Sequence, residues 1–331
     1  MFDEGSDRRV YLAGIRQWLA EPGLLKNPQA MKQVREAKNP IEATRISYDH
    51  IEDGYDGKEP LSVTMKDFTL EGLGEDIHLR IYLPEHIGDS SDLGGLFYIH
   101  GGGYVSGSIQ SHDKICAEIC QEAQCAVIAI NYRLGPEHSF PANLEDCMLC
   151  AESIETISSL HGINPKKWVV GGDSAGAALS TALVVALREK KQPVFKGQLL
   201  FYGNFDSDYN TPSMINNKNG PVLTRDSIMN VHQALFGVSK ALGDERYPEM
   251  FVLHNTSMQG LPPAYISACE LCQFCSESLR YHERLIRDGV DSVIDVHPGM
   301  PHGYIHARHV SPEAMAYFKN SIKHLSRLID A

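Results

Sequence analysis

The sequence predicts an α/β fold: a mostly parallel central sheet flanked by helices, with a helical cap. Three observations lead there. Short apolar runs at 96–99, 126–130 and 168–170 read as strands buried on both faces. These runs alternate with helix-length stretches over most of the chain, the rhythm of a parallel sheet covered on both sides. Finally, residues able to do chemistry, His100, Ser174 and His302, sit just past the carboxyl ends of such strands, where open α/β sheets keep their sites.

From the N terminus, residues 1–50 read as cap helices, with helical pieces at 11–19 and 29–37 broken by Pro22, Pro28 and Pro40. The catalytic domain is then expected over 51–331. Residues 61–70 and 77–83 alternate apolar and polar on either side of Gly72-Leu73-Gly74, which predicts an antiparallel pair. A strand at 96–99 empties into His100-Gly101-Gly102-Gly103-Tyr104. A helix follows at 111–123, a strand at 126–130, and a long helix at 143–160. The strand ending at Val170 feeds a helix over 175–190, and a strand at 198–202 comes next. Residues 205–258 are polar and interrupt the rhythm, so they are expected to form a second cap segment. Alternation resumes with a strand at 264–268, a helix at 276–288 and a strand at 292–297. Ser311-Pro312 is an N-cap and N1 pair opening a last helix, whose Met315, Phe318, Ile322, Leu325 and Ile329 form one apolar stripe.

Composition narrows the function. At 331 residues and 43% hydrophobic, the chain can bury a large core. A net charge of −12 without a basic stripe argues against nucleic acid and anionic membrane surfaces. The first residues lack a positive segment followed by an apolar one, so no signal peptide is expected. Nor does any run of 18 apolar residues suggest a spanning helix. A cytoplasmic location is the resulting expectation. The eight cysteines then read mostly as small buried hydrophobes. The spacing Cys269-x2-Cys272-x2-Cys275 invites a zinc reading, but its flanks look like a strand end and a helix start rather than a zinc knuckle.

The most informative stretch is Gly172-Asp173-Ser174-Ala175-Gly176, which joins a strand to a helix. So sharp a turn strains the serine backbone and leaves no room for bulk two residues to either side. The following helix aims free N–H groups at anything negative beside Ser174. The glycine run at 101–103 also follows a strand and can turn N–H groups toward a ligand. With Ala175 it would complete an oxyanion hole from Gly101, Gly102, Gly103 and Ala175. A phosphate loop would need G-x-G-x-x-G spacing or a P-loop lysine, and both are missing. For a base, His302 lies on a Gly/Pro-rich loop after the last expected strand. His306-x2-His309 nearby reads as surface rather than as a metal pair.

Together, His100-Gly101-Gly102-Gly103-Tyr104, Asn131-Tyr132-Arg133-Leu134-Gly135-Pro136-Glu137, Phe140-Pro141-Ala142, Gly172-Asp173-Ser174-Ala175-Gly176, Gly260-Leu261-Pro262-Pro263 and Pro298-Gly299-x2-His302-Gly303 occur in order over about residues 60–330. On these motifs the chain resembles the hormone-sensitive-lipase family of α/β-hydrolase esterases, in the pattern of bacterial acetyl esterases. The resemblance implies an α/β-hydrolase fold, hydrolysis of short acyl esters by Ser174 and His302, no cofactor, a small ester as partner, and a homodimer as the expected association. Arg133, Glu137 and Asp146 look like structural ion pairs, and Tyr104 and Tyr304 are candidates for the substrate pocket.

One position departs from that pattern. Where the family carries its acid, this chain has Cys272, and a second aspartate position is Ser276. A thiol with an ordinary pKa near 8.5 is a poor stand-in for a carboxylate. Three readings stay open. Another carboxylate substitutes, with Asp206 or Asp208 ahead of Glu270 and Glu277; a Ser–His dyad works slowly; or hydrolysis is lost and the pocket holds a ligand. Deacetylation of an acetylated metabolite is a related alternative.

Overall fold

A computed structural model describes residues 11–54, 61–85, 92–192, 194–236 and 247–331. The parts of the expected cap segments at 1–10 and 237–246 lie outside the described residues. Three helices come first: α1 (Ala13–Ala20), α2 (Pro28–Glu36) and α3 (Pro40–Asp49). The prolines expected to break this region in fact start two of its helices. Pro28 and Pro40 occupy the first turn, where no N–H is needed, and Asn27 and Asn39 cap from the preceding position by accepting from Ala30 N and Glu42 N.

Strands β1 (Val63–Leu70) and β2 (Ile77–Pro84) then form the expected antiparallel pair. Six further strands complete the sheet: β3 (Leu93–Ile99), β4 (Ala126–Asn131), β5 (Ile163–Asp173), β6 (Gly197–Phe201), β7 (Ala264–Cys269) and β8 (Ser292–His297). Among the described residues these make one eight-stranded sheet in the order β1-β2-β4-β3-β5-β6-β7-β8. From β4 through β8 every pairing is parallel, and only β1 and β2 run against their neighbours.

Connecting helices cover both faces: α4 (Asp113–Ala123), α5 (Ala142–His161), α6 (Ala175–Glu189), α7 (Pro212–Asn216), α8 (Arg225–Phe236), α9 (Cys275–Arg287) and α10 (Pro312–Asp330). Because strand side chains alternate, adjacent residues enter different cores. Phe97, Ile99, Ile128 and Val170 pack on one face with Leu144 of α5, Leu179 and Leu183 of α6, and Leu285 of α9. Leu96, Tyr98, Val127 and Val169 pack on the other with Ile115 and Ile119 of α4 and the α10 residues Phe318, Ile322 and Leu325. Burying each such aliphatic or aromatic side chain is worth about 1.5–3 kcal/mol. Among the described residues no helix is long and apolar enough to cross a membrane.

The N-terminal helices are tied to the sheet by charge as well as by packing. Arg45 of α3 donates to the Val105 and Gly135 carbonyls at 2.8 and 3.0 Å and pairs with Glu137 at 2.7 Å. Arg133 is held by Asp146 through its side chain and its backbone N–H. Deeper in, Arg308 is fully buried between two carboxylates. It donates to both Glu52 oxygens at 2.6 and 3.0 Å and to both Glu118 oxygens at 2.8 and 2.9 Å. Burial alone would raise the Glu52 carboxyl, but Arg308 and His306 outweigh it and hold it at about 2. Removing the cation would strand two buried carboxylates. Arg308→Ala is therefore expected to cost about 3–5 kcal/mol of stability, read as a lowered urea midpoint. A loss below about 1 kcal/mol would show that water reaches the cluster.

Candidate active site

Ser174 stands at the end of β5, between that strand and α6, with φ 53° and ψ −117°. That conformation is strained for a residue with a Cβ. The turn that imposes it is tight enough that a Cβ on Gly172 or Gly176 would run into the Ile99 carbonyl. The Ser174 N–H is fixed to the Phe201 carbonyl at 2.9 Å, so the neighbouring strand holds the bend.

His302 arrives on the loop after β8. Its Nε2 lies 2.9 Å from Ser174 Oγ. The ring is clamped edge-on by Tyr202 at 4.8 Å and by Phe274 at 5.5 Å between ring centres. Neither aromatic residue belongs to a motif, and each comes from a separate segment, so spacing could not announce them. Burial drives the imidazole pKa down to about 4, with the Asp173 charge opposing the shift.

On the far side of the ring, His302 Nδ1 lies 3.2 Å from Cys272 Sγ. If Nε2 is to accept the serine proton, Nδ1 must carry hydrogen and the sulfur must accept it. The same sulfur also accepts from the Phe274 N–H at 3.3 Å. Cys272 is fully buried, and burial pushes its thiol well above the ordinary range. It meets His302 as a neutral, polarisable acceptor rather than as an anion.

The carboxylates considered as substitutes are placed elsewhere, which corrects that expectation. Asp206 is drawn to His254 at 2.9 Å and Arg280 at 2.6 Å. Asp208 is exposed and caps Asn210 N at 2.9 Å. Glu270 is exposed and accepts from Gly299 N at 2.8 Å, steadying the His302 loop without touching the ring. Glu277 is buried and accepts from Phe205 N and Asp206 N at 2.7 and 3.1 Å.

The expected ring of amide donors is also corrected at one place. Gly101 N–H donates to Asp173 Oδ1 at 2.9 Å and so points away from Ser174. Gly102 and Gly103, at φ 115° and 63°, line the cavity beside Ser174 with Ala175, the first residue of α6. Their conformations favour glycine, and the helix start leaves the Ala175 N–H without an intrahelical acceptor.

The cavity measures about 240 Å³. Trp18 and Tyr48 from the N-terminal helices and Val231 of α8 line it together with Ser174 and His302. Tyr104 lines it as anticipated, with its hydroxyl 3.5 Å from Asn204 Oδ1. Tyr304 does not: it is buried behind the site, 2.8 Å from Ser267 Oγ and edge-on to Tyr202. His306 and His309, expected at the surface, are drawn inward to Glu52 and Glu118, at 2.8 and 2.6 Å. All eight cysteines are free thiols. Among the described residues, the group of three or more histidine, cysteine or acidic side chains that converges closely enough for a metal contains no cysteine.

Comparison with known proteins bears on the fold and the family. Residues 96–306 match a family model described as the alpha/beta hydrolase fold. A carboxylesterase of Mycobacterium tuberculosis, NlhH, is 30% identical over 257 residues, spanning 77% of this chain and 80% of that protein. An ethyl acetate hydrolase of Pseudomonas putida is 29% identical over 259 residues, 77% of each chain. Among solved structures, a hyperthermophilic esterase from the archaeon Pyrobaculum calidifontis superposes with a TM-score of 0.83 at 25% identity, covering 97% of this chain and 99% of that one.

Proposed function

The chain belongs to the α/β-hydrolase fold family, in its hormone-sensitive-lipase branch of esterases, and we propose that it is a serine carboxylesterase for short acyl esters. The observation that carries this reading is the 2.9 Å contact between Ser174 Oγ and His302 Nε2, both of which line a largely apolar cavity. Ser174 attacks the ester carbonyl while His302 takes its proton. The carbonyl oxygen, now charged, is met by the amides of Gly102, Gly103 and Ala175. His302 then returns the proton to the departing alcohol, and water releases the acyl group by the same route. A cavity of about 240 Å³ suits a small acyl group better than a long chain. The N-terminal helices and the segment at 205–258 serve in this reading as the cap over the cavity.

Cys272 takes the acid's place in this reading. It fixes the His302 tautomer but contributes little to stabilising the imidazolium. Slow turnover follows, and with it a second reading: a binding protein with residual hydrolysis, favoured by the thiol standing where a carboxylate would face Nδ1.

The reading is tested by p-nitrophenyl acetate hydrolysis together with labelling by an activated organophosphate. Turnover with one phosphoryl group per chain, located on Ser174, is the expected result. Absence of both, with a ligand still bound, would favour the second reading. A pH profile adds a separate check. The free enzyme needs neutral His302, whose pKa lies at about 4. So kcat/KM should stay level down to about pH 4 and fall roughly tenfold per unit below it. A fall already beginning above pH 6 would mean that the ring is stabilised in its charged form.

A further inference from the structure

Behind Ser174 lies a second convergence of ionisable side chains that ester hydrolysis does not use. His112 precedes α4, Asp173 ends β5, and His306 sits in the 3-10 turn Tyr304–Ala307. All three are buried, and one ligand-capable atom of each lies within 4.8 Å of the others.

Each is oriented from its far side. His306 Nδ1 lies 2.8 Å from Glu52 Oε1. A carboxylate only accepts, so Nδ1 carries the hydrogen and the neutral ring keeps its lone pair on Nε2. That Nε2 is buried and meets no hydrogen-bond partner among the described residues. His112 Nδ1 faces Ser111 Oγ at 2.9 Å and the Ser108 carbonyl at 3.4 Å, which again favours hydrogen on Nδ1. Its Nε2 stands 3.0 Å from Asp173 Oδ1, an ion-pair contact whose angle misses hydrogen-bond geometry. Asp173 Oδ1 accepts from Tyr98 OH and Gly101 N, both at 2.9 Å, while Oδ2 accepts no hydrogen bond among the described residues.

The unpartnered His306 Nε2, the His112 Nε2 and the Asp173 carboxylate therefore converge within 4.8 Å, and an electropositive centre would engage all three. A carboxylate or carbonyl orienting the far nitrogen of each histidine is also the support that metal-bound imidazoles carry. We propose that His112, Asp173 and His306 form a binding site for one divalent first-row transition-metal ion, with Zn²⁺ as its reference ligand. Two nitrogens and one oxygen form a borderline donor set, which favours Zn²⁺ or Co²⁺ over Mg²⁺ and Ca²⁺. Bonds of about 2.0–2.2 Å require the set to contract around the ion. Asp173 and His306 also line the cavity, so water can complete the coordination from that side.

The test is a Co²⁺ titration of chelator-treated full-length protein followed by visible absorption, with Zn²⁺ as competitor. We expect one saturable equivalent per chain, displaced by Zn²⁺, with a ligand-field band and no thiolate charge-transfer band. His306→Gln should weaken binding at least about tenfold, with circular dichroism reporting whether that variant folds. The wild-type spectrum decides without it. No saturable uptake, a thiolate band that moves the ion to the cysteines, or unchanged affinity in a folded His306→Gln variant would each overturn the proposal. Metal uptake is read independently of turnover, so failure of the esterase reading leaves this test intact.

Discussion

Ser174→Ala is expected to lower kcat for p-nitrophenyl acetate by about 10²-fold or more, to the rate set by the cavity and its amide donors alone, since the carboxylate's share of a full triad is already missing. Cys272, the other side chain that meets a His302 ring nitrogen among the described residues, lies on the opposite side of that ring from Ser174. The amides of Gly102, Gly103 and Ala175 would still polarise a bound carbonyl, and in serine hydrolases such residual assistance is about 10³–10⁴-fold over water. The loss should not be an unfolding artefact. Alanine keeps the Cβ that the elbow already tolerates at φ 53°, and the backbone bond to Phe201 O is untouched. An unchanged thermal midpoint with activity gone is therefore the expected pair of measurements. If the variant retained more than about a tenth of wild-type turnover, the nucleophile would lie elsewhere and the proposed mechanism would be wrong.

The strands and the elbow were readable in the sequence because their causes are local. Apolar runs of strand length, a glycine on each side of Ser174 and a proline after an N-cap each act within a few residues. What sequence spacing could not convey depends on residues far apart along the chain. Pro28 and Pro40 look like breaks until Asn27 and Asn39 are seen capping behind them. Gly101 sits in the right motif, yet its N–H is turned by Asp173, which lies 72 residues further along the chain. Asp206 has the right charge and an approximate position, but His254 and Arg280 hold it away from His302. His306 looks like surface until Glu52 and Arg308 are brought to it. Cys272 was legible as a departure at the acid's position; its 3.2 Å approach to His302 Nδ1 was not.

That approach underlies the other large effect. Cys272→Asp should raise kcat by at least about tenfold, with a ceiling near 10⁴-fold, the loss seen when a triad carboxylate is neutralised in serine proteases. The carboxylate would inherit two donors already in place, His302 Nδ1 and the Phe274 N–H, so little reorganisation is asked of the loop. Its charge would stabilise the imidazolium formed as Ser174 gives up its proton, which the neutral thiol does poorly. The same charge would also raise the His302 pKa from about 4 toward the ordinary value of about 6.5. The acid limb of kcat/KM should therefore move upward by one to two pH units, by about the same physical cause as the gain in rate. The two readouts are linked, and a gain in rate without a shift in the limb would point to better packing instead. Cys272→Asn separates charge from shape, since it supplies a hydrogen-bonding oxygen without the anion and should give neither effect in full. Burying a carboxylate carries a cost, and Cys272 is completely enclosed. Some loss of stability is expected at pH values where His302 is neutral, easing as the ring becomes charged. If the aspartate variant folds and yet hydrolyses no faster than the parent, the sulfur does not limit the reaction, and slow turnover must be traced to the cap or the amide donors.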